Sequence, residues 1–500
     1  MLFSQIETAF LLLATLSAAQ DLTSWSLKDT LATEGVYALF PDDAEYVNAS
    51  LAYNRRFILS PVAIAYPTEE EQVSKVVKAG AERDLRVVAR SGGHSYIASG
   101  LGGRNGSLVI DMSMMKDLSF DAESGNVMIE PGLRLGDISL ALNSEERALP
   151  HGRCTFIGIG GHAGHGGFGM SSRMWGLTLD RMISVNVVLA NGSIATASKD
   201  VNTELFWAIR GAASSFGIVT SYIFQTLPAP ASAAAFVYTW ELDIVDATHA
   251  LYAFQTFVES GITAEFGGEL YLTRGSSAGS ITVRFLGGYY GPLDSFNATL
   301  APYLDELPAP LATNVTAGSW LTALEADDYG PLNTTSDPTF VDHDTFYAKS
   351  LMTPEDSPMS EAAITALMTY LVNNGSATDL NWFVEIELYG GSNSAINAVP
   401  LNDTAFARRS SLFNMQLYAS APNFMPPYPD EGFSFLDGIA TSILSNSPAD
   451  WDYGAYLNYP DDRLSDWQMM YYGGHYDRLR DLKRSVDPMD VFDFPISIEE

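Results

Sequence analysis

Residues 152–169 read Gly152-Arg153-Cys154-Thr155-Phe156-Ile157-Gly158-Ile159-Gly160-Gly161-His162-Ala163-Gly164-His165-Gly166-Gly167-Phe168-Gly169. Eight glycines in eighteen residues disfavour a stable helix or strand, because glycine loses more backbone freedom on ordering than any other residue. Such a stretch suits wrapping a flat or phosphorylated ligand. A shorter companion lies upstream, Arg90-Ser91-Gly92-Gly93-His94-Ser95-Tyr96, directly after the strand-like run Leu85-Arg86-Val87-Val88-Ala89. Glycines there let backbone N–H groups approach a ligand closely and form an anion-binding concavity suited to a pyrophosphate. The pattern is neither GxGxxG nor a Walker loop, so nucleotide hydrolysis is not implied. His162 and His165 have no carboxylate or further thiol at ligand spacing, so no metal centre is expected, and they are read as packing or hydrogen bonding to a cofactor.

Outward from these loops the chain alternates short strands and helices. Thr68 with Glu71 has the form of a capping box, and Val73, Val76 and Val77 follow at helical spacing. Strands are expected at Leu108–Met112, at Ile183–Ala190 ending in the hairpin signal Asn191-Gly192, and at Phe216–Gln225, which contains Ile218. A helix is expected around Gly136–Leu142. The small, proline-punctuated run 227–235 reads as an interdomain connection. Beyond it, alternation at Ala235–Leu242, Glu269–Thr273 and Ser280–Leu286, mixed with helix-like Ser360–Val372, predicts an α+β second domain on an antiparallel sheet. A terminal helix is expected at Arg478–Val486, stopped by Asp487-Pro488. The resulting division is 1–19, 20–228, 229–454 and a return to the first domain over 455–500.

The 500 residues are 47% hydrophobic and 12% aromatic, enough for a large buried interior. Asp and Glu number 60 against 27 Lys and Arg, a net charge of -33, which argues against nucleic acid or an anionic membrane as partner. Residues 1–19 have the apolar run and small terminal residues of a signal peptide, although the leading segment carries Glu7 and no Lys or Arg. Asn48, Asn105, Asn191, Asn297, Asn314, Asn333, Asn374 and Asn402 each begin an N-x-[ST] sequon. Together these predict a secreted, extracellular glycoprotein, expected to be a monomer. Cys154 is the single cysteine, so no intramolecular disulfide can form, and the residue is either a small buried hydrophobe or a thiol used for chemistry.

The segments RSGGHSY at 90–96 and GLGGRNGSLVIDMS at 100–113, followed by GRCTFIGIGGHAGHGGFGMSSRMWGLTLDRM at 152–182, resemble the FAD-linked oxidases of the berberine-bridge-enzyme-like group, whose fold is that of vanillyl-alcohol oxidase. AYLNYPDDRLSDWQMMYYGGHYDRLRDLKRSVDPMDVFDFPISI at 455–498 is similar to the same group, most of all to its fungal oligosaccharide oxidases. The resemblance implies a vanillyl-alcohol-oxidase-type FAD-binding domain joined to an α+β substrate domain. It implies FAD attached covalently through His94, at the flavin 8α-methyl, and through Cys154, at ring carbon C6. Arg90, Ser91, Gly92, Gly93, Ser95, Gly158, Gly160, Gly161, Gly166, Gly169, Ile218 and Asn458 are the expected non-covalent cofactor contacts. Two tethers leave one face of the cofactor open to a long substrate. The disulfide that such proteins usually keep near the N-terminus has no counterpart here.

Oxidising an alcohol carbon needs a base for the hydroxyl proton while the cofactor takes the electrons. By resemblance, Asn458-Tyr459-Pro460-Asp461 places that base at Tyr459. A tyrosine titrates near ~10 and needs a proton acceptor beside it, for which Glu387, ahead of Gly390-Gly391, is the candidate. Similar oxidases tend to carry aspartate there. Glu385 points the same way on a strand and is expected to hold sugar hydroxyls with Tyr96 and Gln416. Trp320 and Trp382 are aromatic candidates for which core packing is the stronger reading. The expected reaction is oxidation of the anomeric C1 hydroxyl of a reducing oligosaccharide to the lactone, with O2 reduced to H2O2. The alternatives are oxidation of a secondary metabolite or other alcohol, a sugar dehydrogenase using another acceptor, or an inactive flavin- or carbohydrate-binding glycoprotein.

Overall fold

The computed structural model describes residues 26–327, 329–335 and 343–500. The expected leader at 1–19 lies outside the described residues. Strands β1 (Tyr37–Leu39), β2 (Ala63–Tyr66), β3 (Val87–Arg90) and β4 (Leu108–Asp111) form a small sheet ordered β1-β2-β4-β3, in which β2 and β3 run parallel to β4. Ala63, Ile64, Ala65, Val87, Val88, Leu108, Val109 and Ile110 are all buried, so these strands read as unbroken apolar runs, as two-sided burial requires. The helix Glu70–Ala81 crosses between β2 and β3 on buried Val73, Val76 and Val77. Its start departs from the expected capping box. The N-cap is Glu69, one residue later than a Thr68 cap requires, and Thr68 donates from its N–H (2.8 Å) and hydroxyl (3.3 Å) to Oε1 of Gln72 in place of Glu71.

A second, antiparallel sheet is ordered β5 (Leu118–Asp121), β6 (Asn126–Ile129), β10 (Ile218–Gln225), β8 (Met182–Val188), β9 (Ile194–Ser198). Asn191-Gly192 turns β8 into β9 as expected, with Gly192 at φ +75°. The glycine-rich stretch departs from expectation, because Ile159–Gly164 is a short helix. Ile159 and Ala163 sit in the same core as Phe206, Ile209 and Ala212, and that burial outweighs the poor propensity of the glycines. The predicted interdomain connection is also tighter than expected. Leu227–Pro228 (β11) pairs with Arg147–Ala148 (β7), and Ala233 already opens the next strand, so only residues 229–232 join the two.

That strand, β12 (Ala233–Leu242), belongs to a seven-stranded antiparallel sheet with β13 (Phe266–Arg274), β14 (Ile281–Tyr289), β15 (Ala312–Gly318), β16 (Phe346–Pro354), β17 (Asn381–Leu388) and β18 (Ser411–Ser420), ordered β15-β12-β14-β13-β17-β18-β16. Strand alternation sorts its side chains. Leu270 and Leu272, Val283 and Phe285, Val384 and Ile386, and Met415 and Leu417 face the helices Ile244–Glu259, Glu361–Ala377 and Asp430–Leu444 in the largest core. The intervening residues Glu269, Tyr271, Arg284, Glu385, Glu387, Asn414 and Gln416 face the other way.

The C-terminal segment returns to the first two sheets. Tyr456, Tyr471, Tyr472 and Leu479 join the core that holds Phe206 and Trp207. On the helix Tyr476–Val486 the fully buried Lys483 donates to Asp487 (2.7 Å) and to the carbonyls of Ser215 and Phe492 (both 3.2 Å). The helix ends at Val486, as Asp487-Pro488 predicts, because a residue that precedes proline is pushed out of helical backbone.

Candidate active site

A cavity of about 780 Å³ lies where the two glycine loops, the C-terminal return and the inward face of the seven-stranded sheet converge. It is lined by Arg90, Ser91, Gly92, Gly93, His94, Ser95, Tyr96, Cys154, Gly158, Gly160, Gly161, Gly169, Ile218, Glu385, Glu387, Gln416, Asn458 and Tyr459. One expected cofactor contact is absent from the wall. Gly166, at φ +140°, packs instead against the Tyr456 ring, where a Cβ would come within 2.7 Å of a ring carbon.

The loops are locked to each other through backbone. A Cβ on Gly92 would lie 2.2 Å from the Gly158 nitrogen, and one on Gly158 would lie 2.0 Å from the Gly92 nitrogen, so this approach admits only glycine at both positions. Ser91 joins them further, donating to the Pro131 carbonyl and accepting from the Gly160 N–H at 3.2 Å. Arg90 is committed to Asp111 and the Ala49 carbonyl, and Ser95 accepts from the Ser99 N–H at 3.1 Å. The histidines of the long loop serve its backbone. His162 Nε2 accepts from the Gly152 N–H (3.1 Å), and His165 Nδ1 bonds to the Gly161 carbonyl (3.0 Å). Asn458 donates to the His162 carbonyl and to the Tyr456 hydroxyl, both at 3.0 Å, and that hydroxyl accepts from Gly167 and Phe168. Tyr456 thus fastens the C-terminal return to the loop, a role that no sequence motif marked.

His94 and Cys154 are both half-buried at the cavity wall. The His94 ring stacks on Tyr53 with centroids 4.5 Å apart. Enclosure, and then the Arg134 charge, push its pKa down to about 3, so the imidazole is neutral and keeps a nucleophilic lone pair. Cys154 lies in a short bridge to Tyr329, with the Tyr329 N–H donating to the Arg153 carbonyl at 3.1 Å.

Across the cavity, the Tyr459 hydroxyl donates to Oε1 of Glu387 at 2.9 Å, and Asn414, opposite Glu387 in the β17–β18 register, donates to Oε2. Burial first, and then Glu385 and Glu269, raise Glu387 well above the usual carboxyl range. Burial first, and then Glu387 and Glu385, raise Tyr459 above the usual phenol value. The segment that carries Tyr459 is anchored two residues on. Asp461 is buried, accepting from the Tyr347 hydroxyl (2.7 Å) and Lys349 (2.9 Å). Tyr96 stacks parallel to Tyr459 at 5.9 Å and receives a 2.6 Å hydrogen bond from Gln416, whose strand partner is Glu385. The expected catalytic and substrate residues therefore meet in one place.

Trp320 and Trp382 are core residues, 3% and 6% exposed. Alternation explains Trp382, because its neighbour Phe383 takes the cavity side. Phe383 stacks between Tyr271 (5.1 Å) and Tyr418 (4.6 Å), and Phe346 continues the row beyond Tyr418 (4.6 Å). This aromatic floor, Arg153 and Glu269 were not singled out from sequence. The period-2 reading of β13, β17 and β18 would have found the floor.

The wall fits a flavin dinucleotide. Every carboxylate lining the cavity (Asp327, Asp344, Glu385 and Glu387) comes from the substrate half. The glycine loops offer backbone, serine and arginine with no acid, and the Cβ position of Gly161 opens into free space. An anionic pyrophosphate is compatible with the second wall and disfavoured by the first.

Residues 61–198 match the family model described as FAD binding domain, and residues 455–499 match the one described as berberine and berberine like. A xylooligosaccharide oxidase from Thermothelomyces thermophilus is 33% identical over 92% of this chain and 91% of its own length. A chitooligosaccharide oxidase from Gibberella zeae is 35% identical over 92% and 93%. Among solved structures, the glucooligosaccharide oxidase from Acremonium strictum, described with a 6-S-cysteinyl, 8α-N1-histidyl FAD, superposes with TM-score 0.87 at 31% identity, covering 95% of this chain and 99% of that one.

Proposed function

The chain belongs to the FAD-linked, berberine-bridge-enzyme-like oxidases, and from that premise we propose that it oxidises the anomeric C1 hydroxyl of reducing oligosaccharides to the lactone. The observation that carries the reading is the 2.9 Å bond from Tyr459 to Glu387, set among Tyr96, Glu385 and Gln416 beside the aromatic floor. His94 and Cys154 would hold the flavin. When bound, the flavin supplies the two-electron acceptor for the carbon being oxidised, with O2 as its reoxidant.

The chain's own residues manage position and proton. Aromatic faces at Tyr271, Phe383 and Tyr418 suit the apolar faces of successive sugar rings, while Glu385 and Gln416 offer complementary acceptors and donors to ring hydroxyls. The Tyr459 oxygen takes the C1 hydroxyl proton as its own proton passes along the existing hydrogen bond to Glu387 Oε1. A carboxylate that burial makes more basic is the better acceptor for this transfer. Secretion fits the same reading, since all eight sequon asparagines are exposed.

The test is incubation in air with xylo-, chito-, cello- and malto-oligosaccharides, followed by product analysis. One equivalent of H2O2 for each aldonic acid is expected. Turnover only with a quinone-type acceptor would make the protein a dehydrogenase, and oxidation at any carbon other than C1 would overturn the reading.

A further inference from the structure

Arg153 reaches from the glycine loop, one residue before Cys154, to the inward face of the sheet. Its Nη2 donates to Glu269 Oε1 at 2.7 Å and lies 3.5 Å from Glu385 Oε1, and its Nη1 lies 3.6 Å from Asp327. Glu269 is fully buried, directly opposite Glu387 in the β13–β17 register, and its Oε2 has no hydrogen-bond partner. Glu387 is therefore flanked by one carboxylate across the ladder and another two residues along its own strand.

We infer that Arg153 is a positioning residue for the proton transfer: by pairing with Glu269 and Glu385 it neutralises the carboxylates on either side of Glu387 and leaves Glu387 as the group that takes the Tyr459 proton. The inference rests on the sugar-oxidation reading. The other titratable groups around this cluster are Tyr459 and Tyr456 from the C-terminal return, Tyr96 and Cys154 from the loops, and Tyr271 on β13. Arg284, from β14, lies over the Tyr271 ring at 5.7 Å and makes no ion pair with Glu269, Glu385 or Glu387. Three carboxylates this close cannot all stay ionised without a cation. Burial raises both Glu269 and Glu385, and in both the Arg153 charge is the largest opposing influence.

The test compares the pH dependence of kcat in wild type, Arg153→Met, Arg153→Lys and the double variant Arg153→Met/Glu269→Gln. Removing the cation should move the acid limb up by roughly one pH unit, the lower end of what a neighbouring charge does to a carboxyl. Arg153→Lys should shift it less, and the double variant, which removes one cation and one anion, should return the limb toward wild type. A merely structural ion pair would regain stability in the double variant but would leave the acid limb where it is in wild type throughout. An unmoved limb in Arg153→Met, or a double variant that keeps the single variant's shift, overturns the inference alone. Should Arg153→Met be inactive, an acid limb shifted up in Arg153→Lys supports it, and an unmoved limb there overturns it. A wild type whose flavin no sugar reduces overturns the functional reading and this inference together.

Discussion

The Tyr459 hydroxyl and Glu387 Oε1, 72 positions apart in sequence, are 2.9 Å apart in space, joined by a hydrogen bond that crosses from the C-terminal return to β17. This bond is the proton path of the account. Tyr459→Phe removes the path and keeps the ring that stacks on Tyr96. The expected outcome is a kcat lower by about 10²–10⁴, the usual worth of general acid–base catalysis, with covalent flavin and sugar binding retained. Steady-state kinetics beside denaturing-gel flavin fluorescence check it.

The pH profile carries a sign. Glu387 works as a base in its ionised form, so kcat rises as pH climbs through its pKa. Burial, then Glu385 and Glu269, place that pKa above the usual carboxyl value of about 4.3. The acid limb should accordingly lie above that value, and Glu385→Gln, which removes the largest charge contribution, should lower it. The limb belongs to the coupled carboxylates together. A limb that stays in place in Glu385→Gln contradicts the assignment.

Gly158→Ala sets a methyl against the Gly92 backbone, with contacts of 2.0 Å to its nitrogen and 2.8 Å to its Cα. Backbone cannot swing aside as a side chain can. The variant should accumulate poorly or carry little covalent flavin, whereas Gly161→Ala, whose Cβ meets nothing within 4 Å, should fold normally. Thermal unfolding and flavin content read the difference.

Lys483→Met leaves Asp487 buried without its 2.7 Å partner. Stranding one member of a buried pair costs about 3–5 kcal/mol, which should appear as a lower denaturant midpoint. Lys483 holds the carbonyl of Phe492, which lines the cavity, but touches none of the residues proposed to meet the sugar, so KM for sugars should be unchanged.

Phe383→Ala interrupts the aromatic floor between Tyr271 and Tyr418. Lost ring contact of about 0.5–1.5 kcal/mol should raise KM two- to tenfold, more for longer oligosaccharides than for disaccharides, with kcat little changed. Equal effects on all chain lengths would remove Phe383 from the binding surface.

Much of this site could be read in the sequence, because its local signals agree with its fold. The glycine loops follow or flank strands, and Asn191-Gly192 turns a hairpin. Glu385, Glu387 and Gln416 obey strand alternation. What escaped reading depends on partners distant in the chain. Ile159–Gly164 became helical because a core formed by residues near 206–212 covers it. Arg153 looked like an ordinary loop cation until β13 and β17 placed Glu269 and Glu385 against it. Gly166 proved to seat Tyr456, which arrives from 290 residues further on.

Oxidation at C1 is read out by anaerobic mixing of the flavin-loaded protein with each reducing oligosaccharide and with its borohydride-reduced alditol, following the flavin band at ~450 nm, which reports the cofactor's redox state. Bleaching is expected with at least one reducing sugar and none with the matching alditol, since only the former has an anomeric hydroxyl. Equal bleaching by both, or by neither across the whole panel, would contradict it.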